Sequence, residues 1–437
     1  MAFLLGNPEL LFHLIAGVVL LAAGVVVAAV NGRVGVTLLL FVGAASWYLR
    51  TPLLTWTTPA GGLIITPADV TAAVLAGAAV VRILFGHAAR GRGYLWLLTA
   101  VLALNVARGA ALYGTPVALN EARGWTYLLA AGLYAATLPV ATPRWWARAL
   151  TSVCLWLGAV ALVGYARTGL EPVQVRVNLA GELVDPRPVT AAGAALIAAT
   201  VLLSTRWVHG RAVRRCGWLL FAVLLVTLQH RTVWVAAAAA GCYLLATALR
   251  AGGRRQLSAV LTVAAGAVIV PALVSSRLAA ESAVAQSAAD DDTFLWRLDG
   301  WGQLLHQSTA PQDVLLGRPF GSGFDRVIRG FEVAVSPHSQ YVETYLRFGV
   351  VGCVALVLLL VAAWRSAGVA AAAFGVSPQV VRAVLLFVAA YGVTYRWDPF
   401  QLAVLGTVLG VAALPRTAPA NPGPVPSDVI GRAVTVG

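Results

Sequence analysis

Of the six histidines in this chain, His338 stands where an imidazole can act as a base. It lies in the run SPHSQYVETYLRFGVVG. Ser336 is a good N-cap and Pro337 a good first helical residue, which predicts a helix starting there, with His338 in its first turn. The positive end of a helix dipole disfavours imidazolium, and a neutral imidazole can take a proton from a hydroxyl. Glu343, five residues on, falls well round such a helix and is not an obvious orienting partner. Tyr341 and Tyr345 lie nearer the histidine's face. The plain alternative is an interfacial histidine among interfacial tyrosines.

A set of arginines offers the second chemistry. Arg231 sits in LQHRTVW and Arg396 in TYRWDPF, each between two apolar runs with almost no loop. A charge there is costly without a partner or a water-filled cavity. Arg123 precedes an apolar run in NEARGWTY, and Arg297 lies in TFLWRLDGW. Guanidinium groups bind phosphate through paired hydrogen bonds, so these residues suit a lipid diphosphate at headgroup level. The alternative is snorkelling, or ion pairing with Asp398 and its neighbours. Cys154, Cys216, Cys242 and Cys353 lie in or beside apolar runs with no CxxC pair, and read as small buried hydrophobes. No metal-ligand cluster has convincing spacing, so neither a metal nor another cofactor is expected.

What must position these residues is set by composition. The 437 residues are 59% hydrophobic and 11% charged, against roughly 25% charged in a soluble domain. A spanning helix needs about 20 apolar residues. Apolar runs occur near 10–30, 34–49, 68–85, 94–107, 124–141, 147–165, 189–207, 216–229, 232–249, 257–274, 347–364, 381–395 and 399–414. They predict an all-α, polytopic transmembrane helix bundle of about 12–13 spans occupying 1–414, without internal repeats. The first run is long enough to remain as an anchor. The Pro- and Ala-rich tail, 415–437, reads as a disordered cytoplasmic segment.

The net charge of +14 comes from arginine alone, for there is no lysine. It is not clustered as a nucleic-acid face requires, so no nucleic-acid partner is expected. Instead it alternates along the chain. If every second connection, beginning at Arg33, faces the cytoplasm, that side holds 17 arginines and one acid, Asp428. Such a bias fixes orientation in a cytoplasmic membrane. It places a large extracytoplasmic loop at 275–346, and the chemistry-bearing residues outside. Within that loop Phe294, Leu298, Trp301 and Leu305 recur at helical spacing, which predicts an amphipathic helix on the membrane surface or capping the bundle. The glycines of LLGRPFGSGFD then allow sharp reversals.

Together these segments resemble the O-antigen ligase and O-antigen polymerase family. Its signature at the end of the large outer loop is matched by His338, Tyr341, Glu343 and Gly349. Ser339 replaces the usual Asn, and Arg347 stands where an acid is common. Arg297 and Trp301 match its Arg-x-x-x-Trp helix, and Gly321 and Gly323 its Gly-x-Gly turn. Arg231 matches the arginine of its hairpin, with His230 where Ser is common. The resemblance covers about 190–400, in the family's order.

The resemblance implies a metal-independent, inverting glycosyltransferase acting on the outer side of the cytoplasmic membrane. The donor is a glycan on undecaprenyl pyrophosphate, and the acceptor is a glycan or lipid. His338 would be the general base. Arg231 and Arg297 would hold the pyrophosphate, with Arg123 and Asp398 as further substrate-binding candidates by position. Polymerase and ligase both fit. A polymerase for exopolysaccharide, capsule or O-antigen is favoured, because the outer loop bears no recognisable protein-acceptor feature. A non-enzymatic polysaccharide transporter tends to carry mid-membrane charges, and these runs are nearly free of them. A polyprenyl-phosphate glycosyltransferase of the kind with an acidic pair in its first outer loop is disfavoured, since that loop has only Asp69.

Overall fold

The computed structural model describes residues 8–50, 53, 57–60, 62–86, 93–138, 142–168, 176–177, 183–184, 187–203, 211–250, 292–328 and 330–412. Every apolar run on these residues forms a helix. In chain order they are α1 (Pro8–Val30), α2 (Gly32–Ser46), α3 (Pro67–Leu84), α4 (Gly93–Tyr113), α5 (Thr115–Ala135), α6 (Thr142–Thr168), α7 (Ala191–Leu203), α8 (Arg211–Thr227) and α9 (Arg231–Arg250). The large loop contributes α10 (Asp292–His306) and α11 (Pro311–Leu316). The chain ends with α12 (Gln340–Phe374), α13 (Pro378–Thr394) and α14 (Pro399–Ala412). The run at 257–274, the stretch 275–291 and the tail from 415 lie outside the described residues.

Among the described residues, five helices are long and apolar enough to cross a membrane: α3, α4, Arg148–Arg167 of α6, α9 and α12. A sixth span results if α1 and α2, bent by 117° where they meet, count as one. At that bend Asn31 caps α2, its side chain accepting from the Arg33 N–H at 3.1 Å. The protein is thus an all-α polytopic membrane protein, with fewer qualifying spans than apolar runs. Part of the difference is length, for α7, α13 and α14 are apolar but short; α5 is long enough, at 21 residues, but carries Asn120, Glu121 and Arg123 in its first half.

Small residues set the packing. α5 lies against α3, α4 and α14, and α12 against α4, α13 and α14. At the α5–α14 contact, a Cβ on Gly132 would stand 2.8 Å from the Leu402 side chain, and one on Gly410 2.5 Å from the Ala136 carbonyl oxygen. Backbones approach this closely only without side chains, the usual device of helices that pack in lipid. Of the cysteines described at side-chain level, Cys154 is buried as expected, Cys353 is partly so, and Cys242 is exposed. On a lipid-facing helix, exposure carries no cost for a weakly polar thiol.

Among the described residues three short antiparallel hairpins interrupt the helices: β1 (Thr58–Ala60) with β2 (Leu63–Ile65), β3 (Arg176–Val177) with β4 (Leu183–Val184), and β5 (Arg326–Ile328) with β6 (Phe331–Val333). The loop helix α10 forms, and the side chains on it divide between two faces. Leu298 and Leu305 are exposed, and Leu304 is buried with Phe324 and Leu346. Gly300 lets β5 come so close that a Cβ there would stand 2.8 Å from Arg326 Nε and 2.9 Å from Ile328 Cδ1.

α12 begins seven residues before the predicted span and runs for 35 residues, about 52 Å at 1.5 Å per residue. That exceeds the roughly 30 Å of bilayer hydrocarbon. It is broken at Gly349, with φ 60° and ψ −158°. A side chain there would also run into the backbone of Leu315 and Leu316. Only glycine takes this conformation beside another backbone, which accounts physically for the glycine eleven residues after His338.

Candidate functional site

The helix predicted to start at Pro337 starts at Gln340. Ser339 is the N-cap instead of Ser336, its Oγ accepting from the Val342 N–H at 3.4 Å. His338 therefore precedes the helix and has φ +56°. Both sides of it are fastened. The Trp301 indole N–H donates to the Pro337 carbonyl at 2.7 Å. The Gln340 N–H donates to the Tyr395 carbonyl at 3.2 Å, and Gln340 Oε1 accepts from the Trp397 N–H at 2.9 Å. A left-handed non-glycine residue costs free energy and persists where its surroundings over-determine it, a pattern that clusters at functional sites. Among the described residues the other non-glycine with positive φ is Gln229, two residues before Arg231.

Burial, followed by the charges of Arg297, Arg326 and Arg396, pushes the His338 pKa down to about 4. The imidazole is thus neutral, as expected, but burial and guanidinium groups are the cause in place of a helix dipole. Arg297 comes from α10. Its guanidinium lies 5.0 Å from the centre of the Tyr395 ring, and its Nε is buried with no hydrogen-bond partner among the described residues. Arg326 comes from β5. Its Nη1 donates to the carbonyls of Phe324 (2.9 Å) and Val335 (2.7 Å), tying down the segment that leads to His338, while its Nε has no described partner.

Arg396 comes from the α13–α14 connection. It pairs with Glu343, at 3.2 Å, and not with Asp398. Glu343, set aside in the sequence as far round the helix, is 2% exposed and accepts from Ser336 Oγ at 2.7 Å. The later start of α12 turns its carboxylate toward the hinge. It joins the residue two before His338 to an arginine on another element. Sequence reasoning missed Arg326 and the role of Glu343. The available signal for Arg326 was its place three residues after the Gly-x-Gly turn in the large loop.

The remaining candidates are placed as follows. Arg231 is the first residue of α9. Its neighbour Thr232 is hydrogen-bonded through Oγ1 to Thr394 Oγ1 at 2.6 Å, so α9 starts two residues from Arg396. Arg123 is held elsewhere. Its Nε donates to Asp69 at 3.1 Å, and its Nη2 to Asn120 Oδ1 and the Ile64 carbonyl. Asp69 in turn closes the capping box of α3 with Thr66. Asp398 caps α14, its Oδ1 accepting from the Phe400 N–H at 3.0 Å, while Oδ2 is buried without a described partner. Burial pushes its carboxyl up to about 7. Tyr341 donates to the Ala389 carbonyl at 2.7 Å and Tyr345 packs on the Leu304 cluster, so both serve packing. Among the described residues no group of three His, Cys, Asp or Glu could hold a metal ion.

The arrangement is a neutral imidazole on a left-handed hinge residue, with guanidiniums from three elements whose charges act on it and one buried carboxylate paired with Arg396. No curated protein matches the chain. The family model described as O-antigen ligase matches residues 216–357, the stretch that carries Arg231, Arg297, Arg326 and His338. That family implies glycosyl transfer between a polyprenyl-linked glycan and an acceptor in a membrane. Over this stretch, about a third of its length, the chain is similar to the O-antigen ligase family.

Proposed function

We propose that this protein is a polysaccharide polymerase on the outer side of the cytoplasmic membrane, moving a glycan from undecaprenyl pyrophosphate to an acceptor sugar hydroxyl. The observation that carries the reading is His338, held neutral and left-handed beside Arg297, Arg326 and Arg396. The acceptor oxygen attacks the anomeric carbon, and the bond to the pyrophosphate oxygen breaks with inversion. The acceptor's proton passes to His338 Nδ1 or Nε2. The charge developing on the leaving pyrophosphate meets fixed guanidiniums, the role preorganised cations play in such displacements. A diphosphate leaves well enough for this to proceed without a metal. Arg231 adjoins the Thr232–Thr394 contact, which supports assigning it to the pyrophosphate with Arg297. Arg123 and Asp398 are already engaged at helix starts, which supports positioning roles for both in place of substrate contact.

The test uses purified protein and a lipid-linked donor, with binding and transfer measured separately. His338→Ala should bind donor normally and lose roughly 10²–10⁴-fold in transfer, the usual worth of a positioned base. Arg231→Lys keeps the charge but not the planar fork, and should lose affinity as well as turnover. An active His338→Ala protein sinks the base assignment. In a deletion strain, single repeats without long chains mark a polymerase, whereas retained lipid-linked polymer marks a ligase.

A further inference from the structure

A groove of about 510 Å³ runs between α2 and α6, away from the His338 site. Phe41 and Trp156 line it and are 60% and 38% exposed, so it opens sideways. Its wall is almost wholly apolar. The two hydroxyls on it are turned back onto their own helices. Thr37 Oγ1 donates to the Arg33 carbonyl at 2.9 Å, and Ser152 Oγ to the Arg148 carbonyl at 3.1 Å. A glycan leaves its polar groups unpaired against such a wall, whereas an acyl chain has none to pair. From Trp145 to Trp156 the groove follows α6 for about 16 Å, roughly half the hydrocarbon thickness and so the depth of one leaflet.

Positive charge stands at one end. Arg33 is four residues before Thr37, and Arg148 is four before Ser152, so each shares a helix face with the lining. Both side chains are exposed, and neither forms an ion pair among the described residues. No acid occurs in α2 or α6. Arg33 also lies in the first turn of α2, where the helix dipole adds to its charge. The two arginines stand level. At the far ends of their helices, Thr190 Oγ1 donates to the Trp47 carbonyl at 2.8 Å, and a Cβ on Gly164 would stand 3.0 Å from Pro188. Counting back from there, Arg33 lies about 21 Å down α2 and Arg148 about 24 Å down α6. Those far ends lead to the catalytic candidates: the Val189 carbonyl is bonded to His230 Nε2 at 3.0 Å, one residue before Arg231. A diphosphate held at Arg231 cannot also sit on Arg33 and Arg148.

We infer that the α2–α6 groove binds an anionic phospholipid, its acyl chain between Phe41 and Trp156 and its phosphate on Arg33 and Arg148. The site is separate from glycosyl transfer and takes a lipid that is not the carrier.

The experiment titrates purified protein in neutral detergent with phosphatidylglycerol or phosphatidylcholine bearing brominated acyl chains, which quench tryptophan on contact. The quenching that Trp145→Phe/Trp156→Phe removes is the groove's share. In the wild-type protein phosphatidylglycerol should produce that share at lower concentration than phosphatidylcholine. Arg33→Gln and Arg148→Gln alter exposed side chains. Each should weaken phosphatidylglycerol about fivefold, the worth of one arginine near an anionic headgroup, and leave phosphatidylcholine unchanged. Ala149→Phe fills the groove and should remove its share for both lipids. Equal affinity for the two lipids overturns the inference, as does an unchanged preference in Arg33→Gln/Arg148→Gln. Displacement of phosphatidylglycerol by equimolar farnesyl diphosphate would assign the groove to the carrier and overturn it too. The transfer activity of His338→Ala tests the proposed function independently of all these outcomes.

Discussion

Two arginine clusters lie at the N-terminal end of α12, and their charges are balanced differently. Arg347 is fully buried. Its Nη1 donates to the Pro319 carbonyl (3.0 Å) and Ser322 Oγ (2.7 Å). Its Nη2 donates to the Gly323 carbonyl (2.8 Å) and pairs with Glu121 of α5. The guanidinium also lies 4.2 Å from the centre of the Phe324 ring. Glu121 accepts the Gly321 N–H as well, so one ion pair clamps the Gly-x-Gly turn to the bundle. Among the described residues the cluster at His338 has three arginines and one paired carboxylate. The first cluster is balanced, one guanidinium on one carboxylate, and is a fastener. The second carries an excess of positive charge among the described residues, which suits it to an anion.

The contrast is broken most directly by stability. Truncating one partner of a buried ion pair leaves the other uncompensated, at about 3–5 kcal/mol. Glu121→Ala and Arg347→Ala should therefore lower the thermal midpoint in detergent strongly. Arg297→Gln removes like-charge repulsion from an open cluster, and should leave the midpoint near or above the wild-type value while transfer falls. If Arg297→Gln proves as destabilising as Arg347→Ala, the second cluster is a fastener too.

The pH dependence of transfer sharpens the same point. A protonated His338 cannot accept the acceptor's proton, so the rate falls as pH drops through its pKa. In the free protein that pKa is about 4, and kcat/KM reports it. A bound diphosphate offsets the arginines and raises the pKa, so the acid limb of kcat should lie higher than that of kcat/KM. Coincident limbs would mean that donor charge does not reach the cluster.

The smallest expected effect is none. Three guanidiniums beside His338 repel a divalent ion, so transfer should be unchanged by chelator. Loss of activity restored by one divalent cation would show that the cluster's missing partner is not simply an anion.

Much of the site was legible as residue types in a sequence order. Hydrophobic runs gave the helices because lipid demands internally bonded backbone and apolar side chains. The polar exceptions then stood out: His338, Arg231, Arg297 and the glycines. Their pairing was not legible. Arg396 and Asp398 are neighbours in sequence, which suggested an ion pair, but Asp398 is used as a helix cap and Arg396 reaches Glu343 instead. Arg123 looked equivalent to the other outer arginines until Asp69, 54 residues earlier, was found beside it.

By itself, then, the sequence determined a helical membrane protein with arginine-bearing connections around one histidine, because burial in lipid acts on composition and local pattern. The tertiary structure decided where α12 starts, that His338 is left-handed, which face of α10 turns inward, and which arginines are satisfied. Those depend on contacts between residues far apart in the chain: Trp301 with Pro337, Gln340 with Tyr395, Gly300 with Arg326 and Glu343 with Arg396. Local preference favoured a cap at Ser336, but the longer-range contacts of Pro337 and Gln340 hold the hinge between them outside the helix.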